Sequence, residues 1–233
     1  MKRFYTNITV TEQRDGFGVA LDGKELRSPA RRALALPTRA LAEALAAEWA
    51  GQGEEIRPDT MKLMALVSTA RDLVAEKPAE IAAETAKYAA TDLLCYRAEY
   101  PPSLVRRENL LWQPLLDWAA LRFDAPLHAT AGIVPIDQPA ASLAALRAVL
   151  DGLDPFTLAA IADLTACCGS LILALALWDG RLDAAGAYEA ALLDESFQNE
   201  RWGEDAEAVV RQCRLKENVD AGVRFLALLR PDA

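Results

Sequence analysis

The chain has 233 residues, 52% of them hydrophobic and 25% charged, with 12 glycines and 12 prolines. That balance is globular and excludes a disordered, collagen-like or low-complexity chain, and the length fits one large domain or two modest ones. Twenty-five basic against 34 acidic residues leave a net charge of −9, which argues against a nucleic-acid partner held by phosphate neutralisation.

In chain order, the N-terminal stretch Met1 to Val10 has neither an apolar signal core nor an Arg/Ser-rich transit pattern, so a cytoplasmic protein is expected. Two Asp-Gly pairs, Asp15-Gly16 and Asp22-Gly23, then punctuate short alternating stretches. Ile8 and Val10 precede the first pair, and Phe17, Val19 and Leu21 lie between the two. Asp-Gly tolerates the positive φ of tight hairpins, so an antiparallel meander is predicted, with Ala33 to Leu36 as a fourth strand after the Ser28-Pro29 turn.

From Pro37 the period becomes helical. Thr38 is the predicted N-cap of a helix whose inner stripe is Leu41, Leu45 and Trp49, ended by Gly51 and Gly53. Further helices are predicted near 60–75, 79–90, 103–122, 140–151, 155–178, 184–201 and 204–230. Pro114 predicts a kink or break in the fourth, and Cys168-Gly169-Ser170 a division of the long apolar one. Alanine, at 46 positions, supports this helical content. The longest uncharged apolar run, Leu164 to Trp178, has 15 residues, short of the ~20 a membrane-spanning helix needs. The fold class expected is α+β, a small N-terminal antiparallel β domain packed on a larger all-helical one. The boundary is placed at 1–37 and 38–233, or near residue 60 if the first helix goes with the strands.

Signatures of catalysis are scarce. The single histidine, His128, sits in no triad-like pattern and leads into a strand-like Gly132-Ile133-Val134-Pro135-Ile136. Cys95, Cys167, Cys168 and Cys213 form no C-x-x-C pair, which suits a reducing compartment and offers no zinc spacing. Neither a P-loop nor a dinucleotide fingerprint is present, so no cofactor is expected. What remains is acidic. Asp194, Glu195, Glu200, Glu204, Asp205 and Glu207 face one base, Arg201, within fourteen residues, with Gln198 and Trp202 among them. A mixture of acid, amide and aromatic on a helix reads as a solvated or protein-binding surface more readily than as an active site. The competing reading is a carboxylate-based hydrolase working through Glu195, Glu200 or Asp92, and a third is a helical scaffold for some unrelated partner. Asp92 and Arg97 are expected to pair in the interior rather than to line a ligand pocket, and Trp49, Trp112 and Trp118 to be packing residues, with a binding groove the lesser reading for Trp112 and Trp118.

A series of segments in order carries a resemblance. It includes Arg3-Phe4-Tyr5, Leu21-Asp22-Gly23-Lys24, Glu48-Trp49-Ala50-Gly51-Gln52-Gly53, Thr91-Asp92-Leu93-Leu94-Cys95-Tyr96-Arg97 and Trp112-Gln113-Pro114. It closes with Gly169-Ser170-Leu171, Asp194-Glu195-Ser196-Phe197-Gln198 and Trp202-Gly203-Glu204-Asp205. Together they resemble the assembly chaperones for the alpha subunit of the F-type ATP synthase catalytic head. Two departures from that pattern are Met61-Lys62-Leu63-Met64 and Glu108, where a glutamine is usual. The resemblance implies a non-catalytic protein without a cofactor that binds the free alpha subunit and prevents its aggregation before beta arrives. With no presequence pattern at the N-terminus, a bacterial member rather than a mitochondrial one is expected. It points to Glu195 first, with Gln198, Glu200, Trp202 and Asp205, as client-binding residues.

Overall fold

The computed structural model describes residues 1–132, 134–203 and 205–230. The predicted positions Ile133 and Glu204 therefore lie outside the described residues. Contacts divide the chain into two compact units. One joins Met1–Pro78 to Asp154–Ala160 and the chain from Arg224 onward, and the other joins Ala79–Leu153 to Ile161–Val223.

In the first unit, strands β1 (Ile8–Gln13), β2 (Gly16–Leu21) and β3 (Lys24–Glu25) form an antiparallel sheet in that order. Val10 stands opposite Val19 and Ile8 opposite Leu21. Asp22 and Gly23 have φ of 48° and 78°, the two positive values of a two-residue hairpin. Asp22 also accepts the amide of Asn7 at 2.7 Å, tying the start of the chain to the turn. The fourth strand is reduced to two single bridges, Phe17 to Leu36 and Arg27 to Ala33. The preceding turn explains this, because the Ser28 and Arg31 amides are spent within it at 3.0 and 2.8 Å.

Alternation also fails on β2, where Gly18, Val19, Ala20 and Leu21 are all buried. Small residues let the second face be covered as well. Helix α1 (Arg39–Ala50) lies against β1 and β2, capped by Thr38, whose hydroxyl accepts from Leu41 at 3.1 Å. The Glu48 carboxylate takes the free Leu63 and Met64 amides at the start of α2 (Lys62–Thr69), each at 2.8 Å. A π-helical turn, Ala70–Val74, prolongs α2.

The second unit is built of helices α3 (Pro78–Ala86), α4 (Pro102–Phe123), α5 (Ala140–Asp151), α6 (Pro155–Cys168), α7 (Leu171–Asp179), α8 (Ala184–Ala191), α9 (Leu193–Trp202) and α10 (Ala206–Leu228). The ends of α3, α6 and α10 belong to the first unit. The predicted helix 155–178 is divided at Gly169, which takes a φ of 66°. Ser170 then caps α7, which is buried from Leu171 through Leu177. The predicted helix 184–201 is broken at Leu192, which no residue type there announces. Helix α4 does not break at Pro114. Pro114 and Leu110, whose carbonyl loses its partner, are both on the exposed face, where water can satisfy that oxygen. The strand expected at 132–136 falls earlier. β4 (Tyr96–Arg97) pairs in parallel with β5 (Thr130–Ala131), and 134–136 are irregular.

Candidate functional site

Leu193 and Phe197, one turn apart, bury the inner side of α9. Asp194 and Glu195 occupy its first turn, where the helix dipole favours negative charge, and Arg201 occupies its last. Glu195 Oε1 accepts from Arg211 Nη2 at 2.7 Å and Gln212 Nε2 at 2.8 Å, both on α10. Partial burial pushes this carboxyl up, but those two donors outweigh it and hold it below the usual range. Glu200 Oε1 accepts from Arg107 Nη1 of α4 at 2.7 Å, and that bond likewise holds Glu200 low. The Phe197 ring lies under two guanidiniums, Arg201 at 4.5 Å and Arg107 at 5.2 Å.

Gln198 is exposed, and Trp202, 77% exposed, ends the helix ahead of Gly203 at φ 88°. Asp205 accepts the Ala208 amide at 3.3 Å at the start of α10. Glu195, Gln198, Glu200 and Trp202 thus lie on α9 and Asp205 just before α10, with Glu195 and Glu200 in salt links. Arg107, Arg211 and Gln212, which position those acids, were not singled out from sequence. Their spacing from α9 in the chain gives no sign of contact.

Beside the Arg107–Glu200 link runs a groove of about 400 Å3, with Leu110, Leu111 and Leu193 among its lining residues. Leu110 and, farther along α4, Leu121 are 72% and 90% exposed.

The residues expected to be structural are placed as follows. Trp49 is buried, packs edge-on to Tyr5 at 5.5 Å, and receives the Tyr5 hydroxyl on its carbonyl at 2.8 Å. Trp112 is fully buried and donates to the Ala190 carbonyl at 2.9 Å. Trp118 is half-buried and meets Phe123 edge-on.

The expected Asp92–Arg97 pair is corrected: among the described residues the two are not ion-paired. Asp92 accepts from the Ser170 hydroxyl at 2.7 Å and from the Leu94 and Ile172 amides, both at 3.1 Å. Burial nevertheless raises its pKa to about 6. Arg97 donates instead to Asn109 and, at 2.9 Å, to Gln113. Amide oxygens in reach along α4 have replaced the carboxylate.

A carboxyl pair that sequence did not assemble is Glu108 with Asp194, joined side chain to side chain between α4 and α9. Its only sequence signal was Glu108 standing against the family pattern. His128 is held through its backbone by the Gln138 amide, at 2.8 Å in both directions. Among the described residues no three His, Cys, Asp or Glu side chains gather as a metal ion would require, and no helix is long and apolar enough to cross a membrane.

Comparison with known proteins bears on this arrangement. The sequence model of the ATP12 chaperone protein family matches residues 2–120. Protein atp12, mitochondrial, of Schizosaccharomyces pombe is 27% identical over 222 residues, spanning 89% of this chain and 76% of that protein. The crystal structure of Atp12 from Paracoccus denitrificans is 41% identical and superposes with a TM-score of 0.94 over 98% of both chains. An aspartate-to-lysine mutant of P. denitrificans Atp12p superposes at 0.93, with the same identity and coverage. The α+β fold is that of an assembly chaperone, a protein whose ligand is another protein. The chain belongs to the ATP12 chaperone family and is an ATP synthase assembly chaperone.

Proposed function

We propose that the client is the free alpha subunit of the F-type ATP synthase catalytic head, held by this chain against aggregation until beta arrives. The observation that carries this reading is the likeness to Atp12 along 98% of the chain. The contact surface on this reading is the α9 face of Glu195, Gln198, Glu200 and Trp202, with Asp205. Exposed Trp202, on the same helix as two carboxylates salt-linked to arginines, has the make of an interface anchor with a charged rim. Trp49, Asp92, Arg97, Trp112 and Trp118 maintain the fold.

The mode of action is binding, without catalysis or cofactor. Supporting this over the hydrolase reading, Glu195, Glu200 and Asp92 are each engaged by a different set of donors. Catalytic carboxylates are expected to converge on one concave site. The compartment on this reading is the bacterial cytoplasm, where the client would be made. The test is co-expression of the tagged chain with the alpha and beta subunits. Co-elution of alpha alone, lost when beta is in excess, is expected. Elution free of alpha would reject the client.

A further inference from the structure

Helix α4 buries Leu104, Glu108, Trp112, Leu115, Leu116 and Ala119, so one carboxyl stands in an otherwise apolar stripe. Both Glu108 oxygens accept from the Ala98 amide, at 3.1 and 2.9 Å. Across from it lies Asp194 in the first turn of α9, joined to Glu108 side chain to side chain. Asp194 Oδ1 is buried, and no N–H or hydroxyl reaches it. Two ionised carboxylates cannot hydrogen-bond to each other, so the bonded pair shares one proton.

The other charged group acting on Glu108 is Arg97, from the segment that also supplies the Ala98 amide. On Asp194, burial and the bond to Glu108 act in opposite directions. With one proton the two carboxyls carry a single negative charge near Arg97, which also faces Asp117. Without the proton the pair holds a second negative charge at a site where Glu108 is fully buried.

We infer that Glu108 and Asp194 form a one-proton latch that seats the first turn of α9 on α4, and that loss of the proton loosens this turn, where Glu195 stands. The consequence for the client rests on α9 being the contact face. Burial, and next the bond to Asp194, raise Glu108 to about 7, so the proton is exchanged near neutrality. Burial raises Asp194 too. The second link between α4 and α9 behaves differently: Arg107 is raised and Glu200 lowered by their mutual bond. That link stays charged at both ends through neutral pH and confines the release to the N-terminal end of α9.

The test is amide hydrogen exchange of residues 193–200 in the full chain at pH 6 and pH 8, corrected for the intrinsic pH dependence of exchange. Protection should fall about tenfold over this range, the factor for one unit above the latch pKa. Glu108→Gln, whose amide donates to Asp194 at every pH, should hold protection flat. Asp194→Asn, donating the other way, serves equally if the first variant misfolds. Flat protection in the wild type, or an unchanged fall in a folded variant, overturns the latch. A pH-dependent fall in a protein that binds no alpha subunit at either pH supports the latch and rejects only the client reading.

Discussion

Glu195 and Trp49 show how differently two residues of one family pattern are used. Glu195 has a quarter of its side chain exposed and holds Arg211 and Gln212. Glu195→Lys therefore sets a lysine against Arg211 and, on the proposed contact face, also removes a client contact. The melting temperature should drop by a few degrees, since α9 and α10 lose one peripheral link. If α9 is the contact face, alpha-subunit binding measured well below that temperature should weaken at least tenfold, because the reversed charge would then meet the client. A variant that binds normally when cold would remove Glu195 from the contact face.

Trp49 behaves as packing throughout. It is 7% exposed, and its indole N–H is buried without an acceptor. Trp49→Arg should cost several kcal/mol, from lost burial plus an unpaired guanidinium among Tyr5 and the sheet residues. Trp49→Phe keeps the carbonyl that Tyr5 uses and removes the orphaned N–H. It should cost far less, as a chemical-denaturation midpoint would show. Equal losses in the two variants would mean that the indole is required for something other than filling space.

Among the elements, α7 depends on a residue eighty positions away. Asp92 accepts the Ile172 amide and the hydroxyl of the capping Ser170, which in turn accepts the Leu173 amide. Asp92→Ala would strand these donors in the interior at a cost of about 3 kcal/mol or more. Asp92→Asn is no full remedy, since its amide would point a donor at a donor. If urea unfolding placed Asp92→Ala within about 0.5 kcal/mol of wild type, this capping account would be wrong.

Elements like these mark the limit of what could be read in advance. The hairpin at Asp22-Gly23, the Thr38 cap and the division at Gly169 were legible, because glycine and capping residues act within a few positions; the first hairpin turns one residue earlier than its Asp-Gly pair, at Arg14-Asp15, with Gly16 already in β2. The break at Leu192 and the continuity through Pro114 were not. Both are decided by which side of the helix meets solvent or a neighbour. For the same reason the acidic surface on α9 could be named from composition, whereas Arg107 and Arg211, which fix its acids, could not. Asp92 was noticed and given the wrong partner, since a sequence shows that a buried charge needs donors but not that Ser170 and three-dimensional amides supply them.

Over the whole molecule, several acids titrate upward together. Asp92 is raised to about 6 and Glu108 to about 7, with Asp194 and Glu48 raised as well, all chiefly by burial. Each binds its proton more tightly folded than unfolded, so the stability it contributes is present at low pH and lost as pH rises through its folded value. Glu195 and Glu200 work in the opposite sense, but below their ordinary range near pH 4. The melting temperature should therefore decline between about pH 5 and 7 and level off above, less steeply in Glu108→Gln. A curve that is flat or rises over this interval would contradict the burial of these groups as carboxylic acids.

Periodicity also could not reveal that residues 154–160 and the last helical turn belong with the N-terminal unit. That assignment depends on long-range packing. The central claim, that the chain shields an unassembled alpha subunit, is tested most directly by light scattering as nucleotide-free alpha subunit is diluted out of denaturant. Scattering should fall in proportion to added chain and level off near one equivalent, with Glu195→Lys needing a larger excess. A scattering trace unchanged by stoichiometric or greater additions would contradict the account.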